Sequence, residues 1–192
     1  MLTPRTTART VGILLLAAFV LYGVGNSLAT TSSGIPSTVG LVMMLLNSAA
    51  VIAIGVLMLP ILRPHAPAIA IGYLATRIFE GTFLAVGTIA LIVGATSTNV
   101  VAYNIAMAGL GIGSLFFCFA LYRFGIAPRF LAIWGFVGYA SFAAGSLLEL
   151  VGVAGAGLVS AIPGGLFEIA FGIWLIVRGF GATAQVAAAG RA

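Results

Sequence analysis

The 192-residue chain alternates between long apolar runs and short segments rich in Gly, Pro, Ser and Thr. Each run has about 20 residues or more, the length that an α-helix needs to cross a bilayer. The predicted helices cover residues 8–29, 39–62, 69–95, 101–122, 130–151 and 158–177. Because lipid offers no partners to backbone polar groups, each run should be a continuous helix. The pattern therefore predicts an all-α integral membrane bundle of six transmembrane helices.

Composition supports a membrane environment. Hydrophobic residues make up 62% of the chain and charged residues 6%, whereas soluble domains have about 25% charged residues. A chain with so few charges cannot cover itself with a water-facing surface, which excludes a soluble enzyme, a nucleic-acid-binding domain and a disordered chain. We expect a single polytopic domain over residues 1–192, with a short flexible tail at 179–192.

The arginines predict the orientation of this bundle. Seven of the eight fall on one side of the predicted helices: Arg5, Arg9, Arg63, Arg123, Arg129, Arg178 and Arg191. Segments rich in Arg stay in the cytoplasm, so both termini should be cytoplasmic in the inner (plasma) membrane of a bacterium. Orientation also explains the net charge of +5 better than nucleic-acid binding does, because the positive charge is scattered between apolar runs.

The N-terminal run permits a second interpretation. Arg5 and Arg9, the apolar stretch after them and the sequence SLA at 27–29, with small residues at 27 and 29, have the order of parts found in a secretory signal peptide. Removing this segment would leave five helices. The apolar run is long for a signal peptide, which favours a retained first helix.

Several short segments carry a family resemblance. They are RTTAR at 5–9, GNSL at 25–28, RIFE at 77–80, LYRFGIAPR at 121–129 and FE at 167–168. Together they resemble a bacterial membrane family catalogued as domain of unknown function 4386. The resemblance implies one domain of six membrane helices over nearly the whole chain. That family has no agreed activity, so the resemblance assigns no residue a role.

The residue types that are rare in this chain limit its chemistry. The sequence has no Lys, so a Schiff base to retinal or pyridoxal phosphate is excluded. It has one His and one Cys, which cannot form a paired-histidine haem site or a cysteine metal cluster. We therefore predict no cofactor and no metal site.

Three ionisable residues lie deep within predicted helices. Arg77 and Glu80 are three residues apart and share a helix face, and Glu168 lies near the middle of the sixth helix. Burying such groups is costly, so they should be paired or functional. A purely structural interpretation is a salt bridge that ties the third helix to the sixth. One arginine cannot fully neutralise two carboxylates, however, so one glutamate should remain protonated and could donate that proton to a substrate.

Other polar and aromatic residues complete a candidate substrate site. We assign substrate binding to Arg77 and, at compatible depths, to Asn47, Asn104, Ser141 and Glu149, together with Phe79, Phe83, Phe167 and Phe171 beside the acids. Aromatic faces attract cations. The alternative for all of them is structural, because small and polar residues also join membrane helices and Phe also faces lipid.

Two classes of function fit this site. The first is a membrane-embedded enzyme that cyclises or isomerises an isoprenoid-like substrate, with Glu168 or Glu80 as the catalytic acid. Of these, Glu168 is the stronger candidate, because no cation lies within a turn of it on its own helix and glycines leave room beside it. The second class is a small proton-coupled transporter or ligand-binding protein. The implied partners are the lipid bilayer and a hydrophobic small molecule, with no nucleic acid. A second copy of the chain, in a homo-oligomer, is a further partner that we consider.

Overall fold

The structure is a computed structural model that describes residues 3–181. It contains six α-helices and no strand within that range: α1 Pro4–Thr31, α2 Ile35–Leu62, α3 Pro67–Ile92, α4 Thr96–Arg123, α5 Arg129–Leu150 and α6 Ala156–Val177. All six are long and apolar enough to cross a membrane. The predicted all-α bundle of six transmembrane helices is confirmed, and the chain is a multi-pass membrane protein.

The helices begin earlier than the sequence pattern predicts. The pattern leaves residues 30–38 and 96–99 outside the helices, yet α2 starts at Ile35 and α4 starts at Thr96. Pro36 lies in the first turn of α2, where a residue without an N–H costs nothing because that N–H has no partner within the helix. The polar residues that open α4 are likewise tolerated in a first turn. Turn-forming residues therefore mark helix starts as well as connections.

The six helices form a closed ring. Each helix packs against the one before it in the chain, and α6 packs against α1. The connections are short, so neighbouring helices run antiparallel. The arginines outside the membrane interior consequently lie at one end of the ring, which we call the arginine end: Arg5, Arg9, Arg63, Arg123, Arg129 and Arg178. Arg191 lies outside the described residues.

Glycines set the close approach between neighbouring helices. A Cβ atom placed on Gly12 of α1 would lie 2.5 Å from the carbonyl oxygen of Gly172 on α6. On α5, a Cβ atom on Gly138 would lie 2.8 Å from the Cα atom of Gly164. Such contacts let membrane helices approach at backbone distance, where van der Waals packing replaces the hydrophobic effect. The glycines of α5 therefore act in helix packing.

The chain continues past α6 along the arginine end. Phe180 is 2% exposed, and the N–H of Gly181 donates to the carbonyl of Ile126 in the α4–α5 connection at 2.9 Å. Of the tail predicted at 179–192, residues 179–181 are thus packed against the bundle, and the rest lies outside the described residues.

Candidate functional site

A buried guanidinium lies between two carboxyl groups at the centre of the ring. Arg77 Nη1 is 2.9 Å from Glu80 Oε2 on the same helix, and Arg77 Nη2 is 3.3 Å from Glu168 Oε1 on α6. The three side chains are 2%, 5% and 12% exposed, respectively. Arg77 therefore contacts both of the carboxyl groups that the sequence offers as its alternative partners.

Two tyrosines complete this group. Arg77 Nε donates to the hydroxyl oxygen of Tyr73, one turn away on α3, at 2.9 Å. Tyr139 of α5 donates its hydroxyl to Glu168 Oε1 at 2.7 Å and accepts from Arg77 Nη2 at 3.5 Å. We call Tyr73, Arg77, Glu80, Tyr139 and Glu168 the ion cluster. The ion cluster joins three helices. The side chain of Arg77 on α3 crosses the interior of the helix ring to reach Tyr139 on α5 and Glu168 on α6.

The backbone positions Arg77 through a neighbouring glycine. A Cβ atom on Gly55 of α2 would lie 2.8 Å from the Cβ atom of Arg77. Because Gly55 has no side chain, α2 lies directly against the stem of Arg77, and the guanidinium extends into the ring. The i, i+3 and i, i+4 spacing then places Glu80 and Tyr73 on the same face of α3 as Arg77.

The charges of the ion cluster do not balance. Within residues 3–181, the two carboxyl groups of Glu80 and Glu168 share the single guanidinium of Arg77, and the remaining carboxylate, Glu149, lies elsewhere. The cluster must therefore carry one net negative charge or bind one proton. An unpaired charge inside a membrane is costly, so a proton or a cationic ligand should occupy the cluster.

A cavity of about 230 Å³ lies beside the ion cluster, and Arg77, Glu80 and Glu168 form part of its wall. Each carboxyl group uses one oxygen in the contacts above, so the other oxygen can face a ligand. Asn47 of α2 also lines this cavity. It is 3% exposed, and its Oδ1 has no hydrogen-bond partner among residues 3–181.

Aromatic side chains form much of the remaining wall. Phe19 and Tyr22 come from α1, Tyr103 from α4 and Phe142 from α5. The aromatic rings of Tyr22 and Tyr103 stack on each other inside the ring of helices, with their centroids 5.2 Å apart. Both tyrosines lie on the opposite side of the ion cluster from the arginine end, so the cavity extends from mid-membrane towards the other face.

The two sides of the cavity differ in their surroundings. Towards the arginine end, Tyr73 stacks on Phe117 at 4.2 Å, and Phe171 packs edge-on against Phe117 at 6.0 Å. These three buried residues, which we call the aromatic plug, lie between the charged groups of the ion cluster and that end. Phe19, by contrast, lines the cavity and is 37% exposed. At α1 the wall of the cavity therefore includes a side chain that is also part of the outer surface of the bundle.

The structure brings together some of the predicted site residues. Glu168, Glu80, Arg77 and Asn47 all line the cavity. The predicted phenylalanines do not line it. Phe79 lies against Gly109 of α4 and is 39% exposed, and its ring is 4.6 Å from that of Phe83. Phe167 and Phe171 are buried and stack on each other at 5.6 Å, where Phe167 supports the ring of Tyr139.

The remaining predicted residues make contacts within and between helices. Ser141 donates to the carbonyl of Ser160 on α6 at 3.0 Å. The carboxylate of Glu149 accepts from the N–H of Gly157 in the first turn of α6 at 2.9 Å, which favours that helix start. Asn104 donates to the carbonyl of Val100 on its own helix at 2.9 Å. None of these three lines the cavity beside the ion cluster.

Sequence reasoning did not assign Tyr73, Tyr139, Tyr22 or Tyr103 to the site. The position of Tyr73, four residues before Arg77, was a usable signal because residues at that spacing share a helix face. The other three come from different helices, and nothing in their spacing relates them to Arg77. Their contribution depends on how the ring closes.

Comparison with known proteins relates part of this site to a family. No curated protein and no solved structure matches the chain. The model of the family described as domain of unknown function (DUF4386) matches residues 90–179. This segment covers α4, α5 and α6 and includes Tyr139 and Glu168 of the ion cluster. Over these residues the match confirms the resemblance to the DUF4386 family that the sequence predicted.

Proposed function

We propose that the protein binds a small, largely apolar organic cation in the cavity and exchanges it for a proton. In this proposal it acts as a proton-coupled transporter in the plasma membrane of a bacterium, with its arginine end in the cytoplasm. One observation carries the proposal: two carboxyl groups share one arginine at the wall of a cavity in mid-membrane.

The polar groups at the cavity favour a ligand that is positively charged. All three nitrogens of the Arg77 guanidinium already donate to Tyr73, Glu80 and Glu168. The groups that remain for a ligand beside the guanidinium include the second oxygen of each carboxyl group, which can only accept while ionised, and the hydroxyls of Tyr22 and Tyr103 further along the cavity. A cation would also supply the positive charge that the ion cluster lacks. An anionic ligand would add to the excess negative charge.

The apolar part of the cavity favours a ligand with a hydrocarbon body. Its wall includes aliphatic side chains as well as the rings of Phe19, Tyr22, Tyr103 and Phe142. Aromatic faces attract cations most strongly where water is excluded. A ligand that partitions into the bilayer could reach the cavity along α1, where Phe19 is partly exposed.

Transport further requires the cavity to open alternately towards each face. In the structure the aromatic plug closes the path towards the arginine end. Tyr73 belongs to this plug and also accepts from Arg77. Exchange of a proton for a cation at Glu80 or Glu168 would change the charge around Arg77 and so could loosen its contact with Tyr73. The contact between Arg77 and Tyr73 would therefore couple ligand binding in the cavity to opening of the aromatic plug.

We expect the purified protein in nanodiscs to bind benzyltrimethylammonium more tightly than its neutral isostere neopentylbenzene. If one proton leaves as one cation binds, the affinity should rise about tenfold per pH unit while the free cluster is protonated. Isothermal titration calorimetry in buffers of different ionisation enthalpy would count the released protons. The expected value is about one per bound cation.

A matched control uses the third glutamate. Glu149→Gln removes a carboxylate that lies away from the cavity, so it should leave both affinity and proton release unchanged. Combining Glu80→Gln with Glu168→Gln should abolish proton release. Equal binding of the cation and its isostere, or proton release that survives the double substitution, would contradict the proposed exchange.

A second candidate, an enzyme, is favoured by the aromatic plug. Because the plug closes one side of the cavity, the site also fits a reaction chamber for an isoprenoid-like alkene. A glutamic acid would donate its proton to an alkene carbon, so that a C–H bond forms as the π bond breaks. Loss of a neighbouring proton from the carbocation to the carboxylate would then restore the acid.

Isotope exchange separates this candidate from transport. If the chain is such an enzyme, geraniol incubated with the protein in D₂O should gain one deuterium on carbon, seen by mass spectrometry as an increase of about one mass unit. Glu168→Gln should prevent the gain, because an amide does not donate its proton at useful rates. If geraniol gains no deuterium while the cation binds with release of a proton, transport is the better conclusion.

A further inference from the structure

A second concavity lies on the outside of the bundle between α4 and α5 and shares no lining residue with the cavity of the ion cluster. It has a volume of about 320 Å³ and includes Phe119 and Tyr122 of α4 with Ile133, Phe136 and Val137 of α5 in its walls. These side chains are 43–58% exposed. We call this concavity the α4–α5 groove. In a membrane protein its surface faces lipid, so its natural occupant is a hydrocarbon chain.

The α4–α5 groove ends beside two arginines. Arg123 is the last residue of α4 and Arg129 the first of α5. The guanidinium of Arg129 lies over the ring of Tyr122, 5.5 Å from its centroid, and Tyr122 is itself part of the groove wall. Within residues 3–181, neither arginine forms a salt bridge. The mouth of the groove is therefore positively charged without an internal counter-ion.

The start of α5 adds to this positive charge. Pro128 precedes α5 and contributes no side-chain hydrogen bond to the first turn. The N–H groups of that turn are thus available, and the helix dipole favours an anion at this end. Arginine also binds phosphate through two parallel hydrogen bonds. An apolar groove leads away from this mouth towards mid-membrane, because α4 and α5 run side by side there.

We propose that the α4–α5 groove binds an anionic phospholipid of the membrane leaflet at the arginine end. Arg129 and Arg123 bind its phosphate groups, and one acyl chain lies along Tyr122, Phe119 and Phe136. The assignment to a phospholipid rests on both the positive charge at the mouth and the apolar wall of the groove. A free phosphate ion would use the charge but would leave the apolar groove empty. The site is independent of the proposed transport function, because it shares no residue with the ion cluster.

Lipid competition would test the charged part of the site. The protein, purified in detergent, is given equal amounts of phosphatidylglycerol and phosphatidylcholine, and native mass spectrometry measures the bound lipid. We expect a preference for phosphatidylglycerol that the double variant Arg123→Gln/Arg129→Gln weakens by roughly thirtyfold. The control, Arg5→Gln/Arg9→Gln, removes the same charge from exposed positions on α1. An equal loss in both double variants would show general surface attraction and overturn the proposal.

A bulky substitution would test the apolar part. Ile133→Trp should fill the groove and reduce bound phosphatidylglycerol about tenfold. Ile71→Trp is its control, because Ile71 is also the fifth residue of its helix and is 60% exposed, compared with 55% for Ile133. Both positions face outward, so both variants should fold. If Ile133→Trp has no effect while the arginine variant does, the site binds headgroup phosphate alone and the proposed lipid site is wrong.

Discussion

Replacing Arg77 should destabilise the protein more than replacing any other single residue of the ion cluster. Arg77→Met keeps most of the side-chain volume but leaves the carboxylates of Glu80 and Glu168 without their cation. Removing one partner of a buried ion pair costs about 3–5 kcal/mol. We expect that loss in the free energy of unfolding at neutral pH, measured by denaturant titration in detergent. At acid pH the stranded carboxyl groups can take up protons, so the difference from wild type should shrink.

Removing the carboxyl groups should restore much of this stability. Because Arg77 contacts both acids, Arg77→Met combined with Glu80→Gln alone should recover only part of the loss. Adding Glu168→Gln should recover more, since no unpaired charge then remains in the ion cluster. Wild-type stability for Arg77→Met at neutral pH would mean that the cluster contributes no net ion pairing. Equal stability of the single, double and triple variants would lead to the same conclusion.

The two glutamates should respond differently to amide substitution. Glu168 is more exposed than Glu80, and its distance to Arg77 is longer, 3.3 Å compared with 2.9 Å. We therefore expect Glu168 to be the exchanging acid and Glu80 the structural partner of Arg77. Glu168→Gln should retain the melting temperature but weaken the binding of benzyltrimethylammonium by about thirtyfold or more and abolish proton release. Gln has the shape of the acid but carries no charge.

Glu80→Gln should instead reduce stability. It leaves Arg77 with a weaker partner at its shorter contact, so the melting temperature should fall. Because one carboxyl group then balances one guanidinium, cation-linked proton release should be lost in this variant too, and the melting temperature distinguishes the two acids. Differential scanning fluorimetry and the calorimetric assay on both variants would decide the assignment. If Glu80→Gln proves stable but inactive, the roles are reversed. If both variants release a proton as wild type does, neither carboxyl group is the exchanging acid.

Much of the architecture could be predicted from the sequence, because a membrane-spanning helix depends on the composition of its own segment. Runs of 20 or more apolar residues predict spanning helices whatever their neighbours are, and the six expected helices are present. The positions of the helix starts were less accurate. Pro36 and the polar residues of 96–99 occur equally well in connections and in first turns, and the choice between them depends on where the preceding helix ends.

The residues of the candidate site could be predicted only in part from the sequence. Arg77, Glu80 and Glu168 stood out because ionisable residues are rare inside membrane helices. The four phenylalanines that the sequence places beside the acids do not line the cavity. Phe79 is next to Glu80 in sequence, but adjacent residues lie about 100° apart around a helix. Phe83 follows Glu80 by three residues, yet its ring packs against Phe79 and does not line the cavity. Glu149 and Ser141 have suitable polarity, yet their partners are Gly157 and Ser160 at the α5–α6 interface.

The sequence by itself determined that this protein lies in a membrane, that six helices cross it and that three charged groups are buried there. Each of these properties follows from the free energy of transferring a residue or a helix into lipid, which depends on the segment alone. The tertiary structure decided which side chains meet. Closing α6 against α1 places Glu168 beside Arg77, brings Tyr139 to Glu168 and Tyr22 to Tyr103, and leaves a cavity between them. Contacts between helices that are distant in sequence depend on the rotation of each helix about its axis and on its depth in the membrane. Glycine packing at the helix interfaces determines both.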